Sequence, residues 1–224
     1  MPDPDSAPPP PPASPTVSLN SALARLIAVQ ICIHACMAGI RMASPLLSLR
    51  QGYSAASVGI LLALFSLTQV FLSIPAGRFA DQYGLKRPVL ISICCTVVGA
   101  GMAAIWPTYP VLCITALLTG GSTGAALISL QRHVGCLSSD PTQLKKVFSW
   151  LAIGPSVSNF LGPFAAGLMI DHAGFRSAFA LMAALPVVSW LLLRSMPELP
   201  RPKLPAGGEK QRSWDLLHNP LMRR

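Results

Sequence analysis

The chain has 224 residues, of which 52% are hydrophobic and only 11% are charged, and its formal net charge is +9. Soluble domains have about a quarter of their residues charged, so this composition excludes an ordinary soluble domain and indicates a polytopic membrane protein. The 17 Lys and Arg residues lie in short stretches between apolar runs and form no continuous basic face, which argues against nucleic acid as a partner.

The first segment, 1–20, contains five consecutive prolines at positions 8–12. A stretch of this composition cannot form a packed core, and we expect a disordered or extended tail. It lacks the positive region and short apolar stretch with which a signal peptide begins.

Six apolar runs follow, each close to the 20 or so residues that a helix needs to cross a bilayer. The domain 21–196 is therefore predicted to be an all-α bundle of six transmembrane helices, followed by a basic tail over 197–224. Lys and Arg concentrate in the C-terminal tail and between helices two and three and helices four and five, with Arg25 at the start of helix one. The excess predicts a multi-pass protein of the cell membrane with both termini in the cytoplasm. The predicted helices span 22–48, 55–80, 88–106, 109–132, 146–170 and 176–195.

Polar residues form a stripe along one face of the first helix, because Gln30, His34, Arg41, Ser44 and Ser48 all fall within roughly 40° of one direction. An arginine inside a span costs about 3 kcal/mol or more. One interpretation is that the stripe lines a water-filled pathway, where Arg41 holds an anionic or polar substrate group and His34 carries a proton. The alternatives are that Arg41 reaches the membrane interface or a helix carbonyl, and that His34 is a packing histidine.

Helices two and four hold weaker candidates for the same pathway, namely Ser66, Gln69 and Thr119. Single hydroxyls and amides are common in spans, so a packing role is an equal alternative. Helix four also contains closely spaced glycines at 120, 121 and 124. Small residues at such spacing predict close helix packing, since lipid tails provide no hydrophobic drive for association.

The stretch 77–87, between helices two and three, is a short polar turn. Gly84 is predicted to take a positive φ and Gly77 to allow close approach of a neighbouring helix. The stretch resembles the signature of the major facilitator superfamily at this position. The resemblance rests on Gly77, Asp81, Gly84, Lys86 and Arg87, and it departs from the signature at Phe79, Gln82 and Leu85.

A second motif lies in helix five, where Gly162, Pro163 and Gly167 resemble a signature found mainly in antiporters of the same superfamily. Proline in a helix removes a backbone donor and clashes with the preceding turn, so a kink is predicted. A kinked packing helix without a specific antiport role is the alternative. Leu117 stands where the superfamily often has an arginine in helix four.

The resemblance implies one half, the N-terminal six helices, of a secondary transporter that works by alternating access. Proton-driven efflux of a drug or metabolite is the first interpretation, and uptake of a sugar or organic acid by symport is the alternative. The implied partners are a small-molecule substrate, protons, the bilayer, and a C-terminal six-helix half or a second copy of the chain.

A half that is inactive without a partner bundle is a further alternative, in which Gly77, Asp81 and Gly162 would lack their usual contacts. No enzymatic constellation and no phosphate-binding loop is found. Five of the six cysteines lie in apolar runs, where a thiol behaves as a small hydrophobe. Neither a cofactor nor a metal is predicted.

Overall fold

The computed structural model describes residues 19–137 and 141–195, and these ranges contain helices and short turns but no strand. The predictions for the first 18 residues and for the basic tail from 197 lie outside the described residues. These residues form five helical segments, each long and apolar enough to cross a membrane. They are α1 (Leu19–Arg50), α2 (Ala55–Tyr83), α3 (Lys86–Ile105), α4 (Tyr109–Leu137) and α5 (Pro141–Arg194).

The prediction of two helices after α4 agrees with the structure, because the 54 residues of α5 comprise two helices that join at a kink. A straight helix of that length would measure about 80 Å, against about 30 Å for the hydrocarbon core. The helix is not straight, since Gly174 has φ 83° and ψ 175°. We call residues 141–173 the first limb of α5 and residues 175–194 its second limb.

Contacts with α1 show that α5 folds back on itself at Gly174. Successive residues of the first limb contact α1 residues with increasing residue numbers, and successive residues of the second limb contact α1 residues with decreasing residue numbers. The six helical passes of the prediction are therefore present, and the last two are the limbs of α5 on either side of Gly174. The contacts are Ser158 with Ile31, Gly162 with Ala35 and Gly167 with Met42 for the first limb, and Phe175 with Arg50, Met182 with Gly39 and Ser189 with Val29 for the second.

Polar and aromatic contacts hold the turns together at both ends of the bundle. At one end Gln51 donates to the carbonyl of Pro107 over 2.8 Å, and the rings of Tyr53 and Tyr109 stack with centroids 4.5 Å apart. At the other end Arg25 Nη1 lies 3.4 Å from the carbonyl oxygen of Ser195. The beginning of α1 and the end of α5 therefore lie on the same side, as the even number of passes requires.

The turn between α2 and α3 confirms the prediction for Gly84, which has a φ of 74°. Its backbone N–H caps α2 by donating to the carbonyl of Ala80 over 2.9 Å. A side chain at this position would be strained, because L-residues rarely adopt a positive φ.

The glycines of α4 confirm the predicted close packing. A Cβ atom on Gly120 would lie 2.3 Å from the carbonyl oxygen of Phe65 in α2, and one on Gly124 would lie 2.9 Å from Gln69 Cγ. The predicted close approach of a helix at Gly77 is not found, since a Cβ there would be 4.0 Å from the nearest atom, which belongs to Ile128. The closest approach to α2 therefore occurs near its middle, where α4 supplies the small residues.

Candidate functional site

The first half of the predicted stripe lies against a small cavity between α1 and α4. Gln30 is 3% exposed, and its Nε2 donates to the carbonyl of Leu151 in α5 over 3.4 Å. His34, one turn further along α1, is half-buried. Gln30 Oε1 and His34 Nδ1 are buried and make no hydrogen bond within the described residues. The cavity measures about 10 Å³ and is also lined by Ile33, Thr123, Ala126, Leu127 and Leu130.

The other end of the stripe separates into exposed and buried residues. The Arg41 side chain is exposed, although α1 is apolar enough here to span a membrane. Ser44 and Ser48 are fully buried, and Ser48 donates to the carbonyl of Ser44 over 2.9 Å. The structure therefore brings Gln30 and His34 together at one cavity, while Arg41 lies seven residues, or about 10 Å, further along the helix.

The weaker pathway candidates occupy three different environments. Ser66 is exposed on α2, and Gln69 is half-buried with its side chain against Gly124. Thr119 is fully buried. Its hydroxyl donates within α4 to the carbonyl of Thr115 over 2.7 Å, and its methyl group faces Gly99 in α3. Of the three, only Ser66 is on the surface in this conformation, and pathway lining stays a prediction for all of them.

The turn motif between α2 and α3 forms contacts within this bundle. Asp81 makes an ion pair with Arg132 of α4, so it has a partner within this bundle, while the absence of its usual contacts with a second bundle stays a prediction. Arg87 is exposed, and its guanidinium carbon lies 5.3 Å from the centroid of the Tyr83 ring. Lys86 begins α3 and is half-buried. The pair of Asp81 and Arg132 links the ends of α2 and α4.

The helix-five motif is packed against α1. A Cβ on Gly162 would lie 2.3 Å from the Ala35 carbonyl oxygen and 2.9 Å from the Gly39 nitrogen, so Gly162 packs within this bundle, and the absence of its usual contacts with a second bundle stays a prediction. Gly167 faces the flexible end of Met42, at 3.4 Å. Pro163 lies inside α5. Helical dihedral angles continue through it, and Gly174 is the one residue inside α5 with non-helical angles.

The partner of this motif in α1 was missed, although the sequence contains a signal for it. Ala35, Gly39 and Ala43 follow one another at four-residue intervals, which is the spacing of small residues that allows two membrane helices to approach closely. All three lie on the part of α1 that crosses the first limb of α5, and Ala35 and Ala43 are nearly fully buried.

Comparison with known proteins gives matches over most of the chain. Residues 26–223 match the family model of the Major Facilitator Superfamily. Multidrug resistance protein 1 of Bacillus subtilis is 28% identical over 63% of this chain and 37% of its own length. The class B tetracycline resistance protein of Escherichia coli is 29% identical over 60% of this chain and 33% of its own.

The quinolone resistance protein NorA of Staphylococcus aureus is 23% identical over 71% of this chain. The match covers 40% of the length of NorA. The chain therefore spans between a third and two fifths of these curated relatives.

Proposed function

Because the chain belongs to the major facilitator superfamily, we propose that it acts in proton-coupled efflux of a small solute by alternating access, together with a second six-helix bundle. The observation that carries the proposal is that three matched relatives are named for resistance to drugs. The proposed role is that of a transporter, with no enzymatic step.

The proposed orientation places both ends of the described chain and the turn at Gly84 in the cytoplasm. The distribution of Lys and Arg in the sequence supports this orientation. The proposed cell-membrane location follows from the same family and from the length and hydropathy of the helices.

Arg41 and His34 support a polar pathway beside α1. An exposed arginine within an apolar span requires water, a polar partner or a substrate group, and a histidine can exchange protons near neutral pH. No Asp or Glu lies near the middle of any predicted span; Asp81 and Asp171 stand close to helix ends. We therefore assign proton exchange in this bundle to His34, with Arg41 contacting the substrate.

The proposed partner bundle is a C-terminal six-helix half or a second copy of the chain, since the matched relatives are about two and a half to three times longer than their matched parts. The test is the native mass of the chain in mild detergent. A dimer supports a second copy, whereas a monodisperse monomer contradicts it and favours a C-terminal half.

Transport is tested on the chain in liposomes under an imposed pH gradient. The fluorescent probes are ethidium, a cation, and carboxyfluorescein, an anion. Efflux predicts probe movement against the direction of proton flow, and collapse of the gradient by a protonophore should abolish it. Movement with the protons would instead indicate the symport alternative. Movement of either probe that is unchanged by the protonophore would contradict proton coupling.

A further inference from the structure

The cavity between α1 and α4 holds two buried polar atoms that no described residue satisfies. A buried polar group without a hydrogen bond costs about 1–3 kcal/mol, and most such groups in native proteins have a partner. Gln30 Oε1 can only accept a hydrogen bond, and neutral His34 with its hydrogen on Nε2 can only accept one at Nδ1. Two acceptors that face one cavity cannot satisfy each other.

A hydrogen on Nδ1 resolves this conflict, either in the other neutral tautomer or in the protonated ring, whose charge makes the bond stronger. When the Nδ1 lone pair of His34 takes a proton from water, the ring becomes a cation with a donor at Nδ1, and this donor can be bonded to Gln30 Oε1. The two residues are one helical turn apart, where side chains are neighbours. The cavity of about 10 Å³ is close to the volume that one water needs, so the bond can be direct or run through one water.

Gln30 also contacts α5, which gives the proton a mechanical consequence. Its Nε2 donates to the carbonyl of Leu151, and its side chain lies about 3.1 Å from the position of a Cβ on Gly154. Gly154 therefore provides the space in which the Gln30 amide touches the first limb of α5. A bond at Oε1 fixes the amide at both ends and holds α1 against α5.

The groups around the cavity favour a site that binds a proton reversibly. The cavity lining comes from α1 and α4 alone, and its other members are Ile33, Thr123, Ala126, Leu127 and Leu130, none of which titrates. From α5, Leu151 and Gly154 face Gln30 and carry no charge. Burial of the His34 ring disfavours its charged form, and the positive charge of Arg41 on the same helix also repels a bound proton, so both favour its release.

We propose that His34 and Gln30 form a proton-binding site, in which the proton on His34 Nδ1 is bonded to Gln30 Oε1 and strengthens the contact of α1 with α5. This proposal deepens the proposed function, and its role in transport rests on that function. Proton binding itself can be measured whether or not the chain transports anything.

The first measurement is a pH titration of the histidine ring signals by NMR, on the full chain in mild detergent with labelled histidine. Replacing His34 with Gln assigns its signal. If that variant does not fold, single replacements of His133, His172 and His218 assign the same signal by elimination. We expect His34 to titrate reversibly between about pH 5 and 8. A His34 signal that does not change between pH 5 and 9 overturns the proposal.

The second measurement tests the partner. Gln30→Met keeps the length of the side chain and removes both hydrogen bonds, and we expect about tenfold weaker proton binding at His34. His172 is the matched control, because it lies near the opposite end of the bundle and its Nδ1 is 2.8 Å from its own helix carbonyl at Leu168. His172→Gln should leave the His34 titration unchanged. An unchanged titration in Gln30→Met overturns the role of Gln30.

Transport measurements distinguish a failure of this inference from a failure of the proposed function. If the wild-type chain shows no proton-coupled movement of either probe, the proposed function fails, and the NMR titration still decides the proton site. If the wild type is proton-coupled, His34→Gln should lose at least tenfold of gradient-driven movement, and His172→Gln should lose none. Full gradient-driven movement in His34→Gln, with the wild type active, refutes the proton role of His34 and leaves proton-coupled efflux itself standing.

Discussion

Replacing Gly120 with alanine tests how closely α2 and α4 approach each other. The new Cβ would lie 2.3 Å from the carbonyl oxygen of Phe65 and 2.9 Å from its Cα. Carbon–oxygen contacts in packed helices are about 3.3 Å or longer, so the two backbones must separate by about 1 Å. Overpacking of this kind costs about 1–3 kcal/mol, because backbone atoms cannot rotate away as a side chain does.

Two further glycines provide matched controls for the change in helix propensity. Gly101→Ala in α3 meets no atom within 4 Å, and Gly121→Ala in α4 meets the flexible end of Leu72 at 2.7 Å. All three substitutions gain a similar helix propensity, about 0.5–1 kcal/mol in soluble helices. Differences between the variants therefore report packing, and we expect stability to fall in the order Gly101→Ala, Gly121→Ala, Gly120→Ala.

The assay is thermal unfolding in mild detergent, followed by loss of the monodisperse peak in size-exclusion chromatography. For a domain of this size about 1 kcal/mol corresponds to about 2–4 °C. Gly120→Ala should therefore melt about 2–12 °C below Gly101→Ala. Equal melting temperatures for these two variants would refute the close approach of α2 to α4 and with it the packing role of the α4 glycines.

Three further predictions concern the turn after α2 and the pathway. Gly84→Ala should lower stability by about 1 kcal/mol, because its φ is positive, whereas Gly77→Ala should not lower it; equal melting temperatures of the two variants would contradict this. The ion pair of Asp81 with Arg132 is partly exposed, at 27% and 48%, so a double-mutant cycle with Asn and Gln should give a coupling of at most about 1 kcal/mol. A larger coupling would mean that the pair is shielded from solvent. Arg41→Gln should reduce transport of carboxyfluorescein more than that of ethidium, and equal loss for both probes would contradict a substrate contact at Arg41.

Much of the helical layout follows from the sequence because it depends on local chemistry. Apolar runs long enough for a bilayer predict the spans, and the glycine in the polar turn predicts the positive φ at Gly84, since few other residues adopt it without strain. The boundary at Gly174 was predicted as a gap between two helices. The structure places that boundary at one residue, because glycine readily adopts the positive φ of 83° at which the first limb ends and the second begins.

Which side of each helix faces inward was decided by the tertiary structure. In a soluble protein the polar face marks the outside, but lipid tails are as apolar as a packed core, so hydrophobic patterning does not separate the two faces. Phe71 of α2 is therefore 72% exposed, while Phe65 on the same helix is 2% exposed. The difference comes from Gly120, which lets the backbone of α4 reach Phe65.

At the candidate site, too, the sequence determines some features and helix packing determines others. Sequence spacing places Gln30 and His34 on one face of α1, because residues four apart are neighbours on any helix. The sequence alone cannot place Leu151 and Gly154 beside Gln30, since they follow it by more than 120 residues. That contact exists because Gly39 and Gly162 have no side chains, which lets α1 and the first limb of α5 pack closely. The sequence thus determined the membrane spans and the polar residues within them, and helix packing determined which of those residues meet.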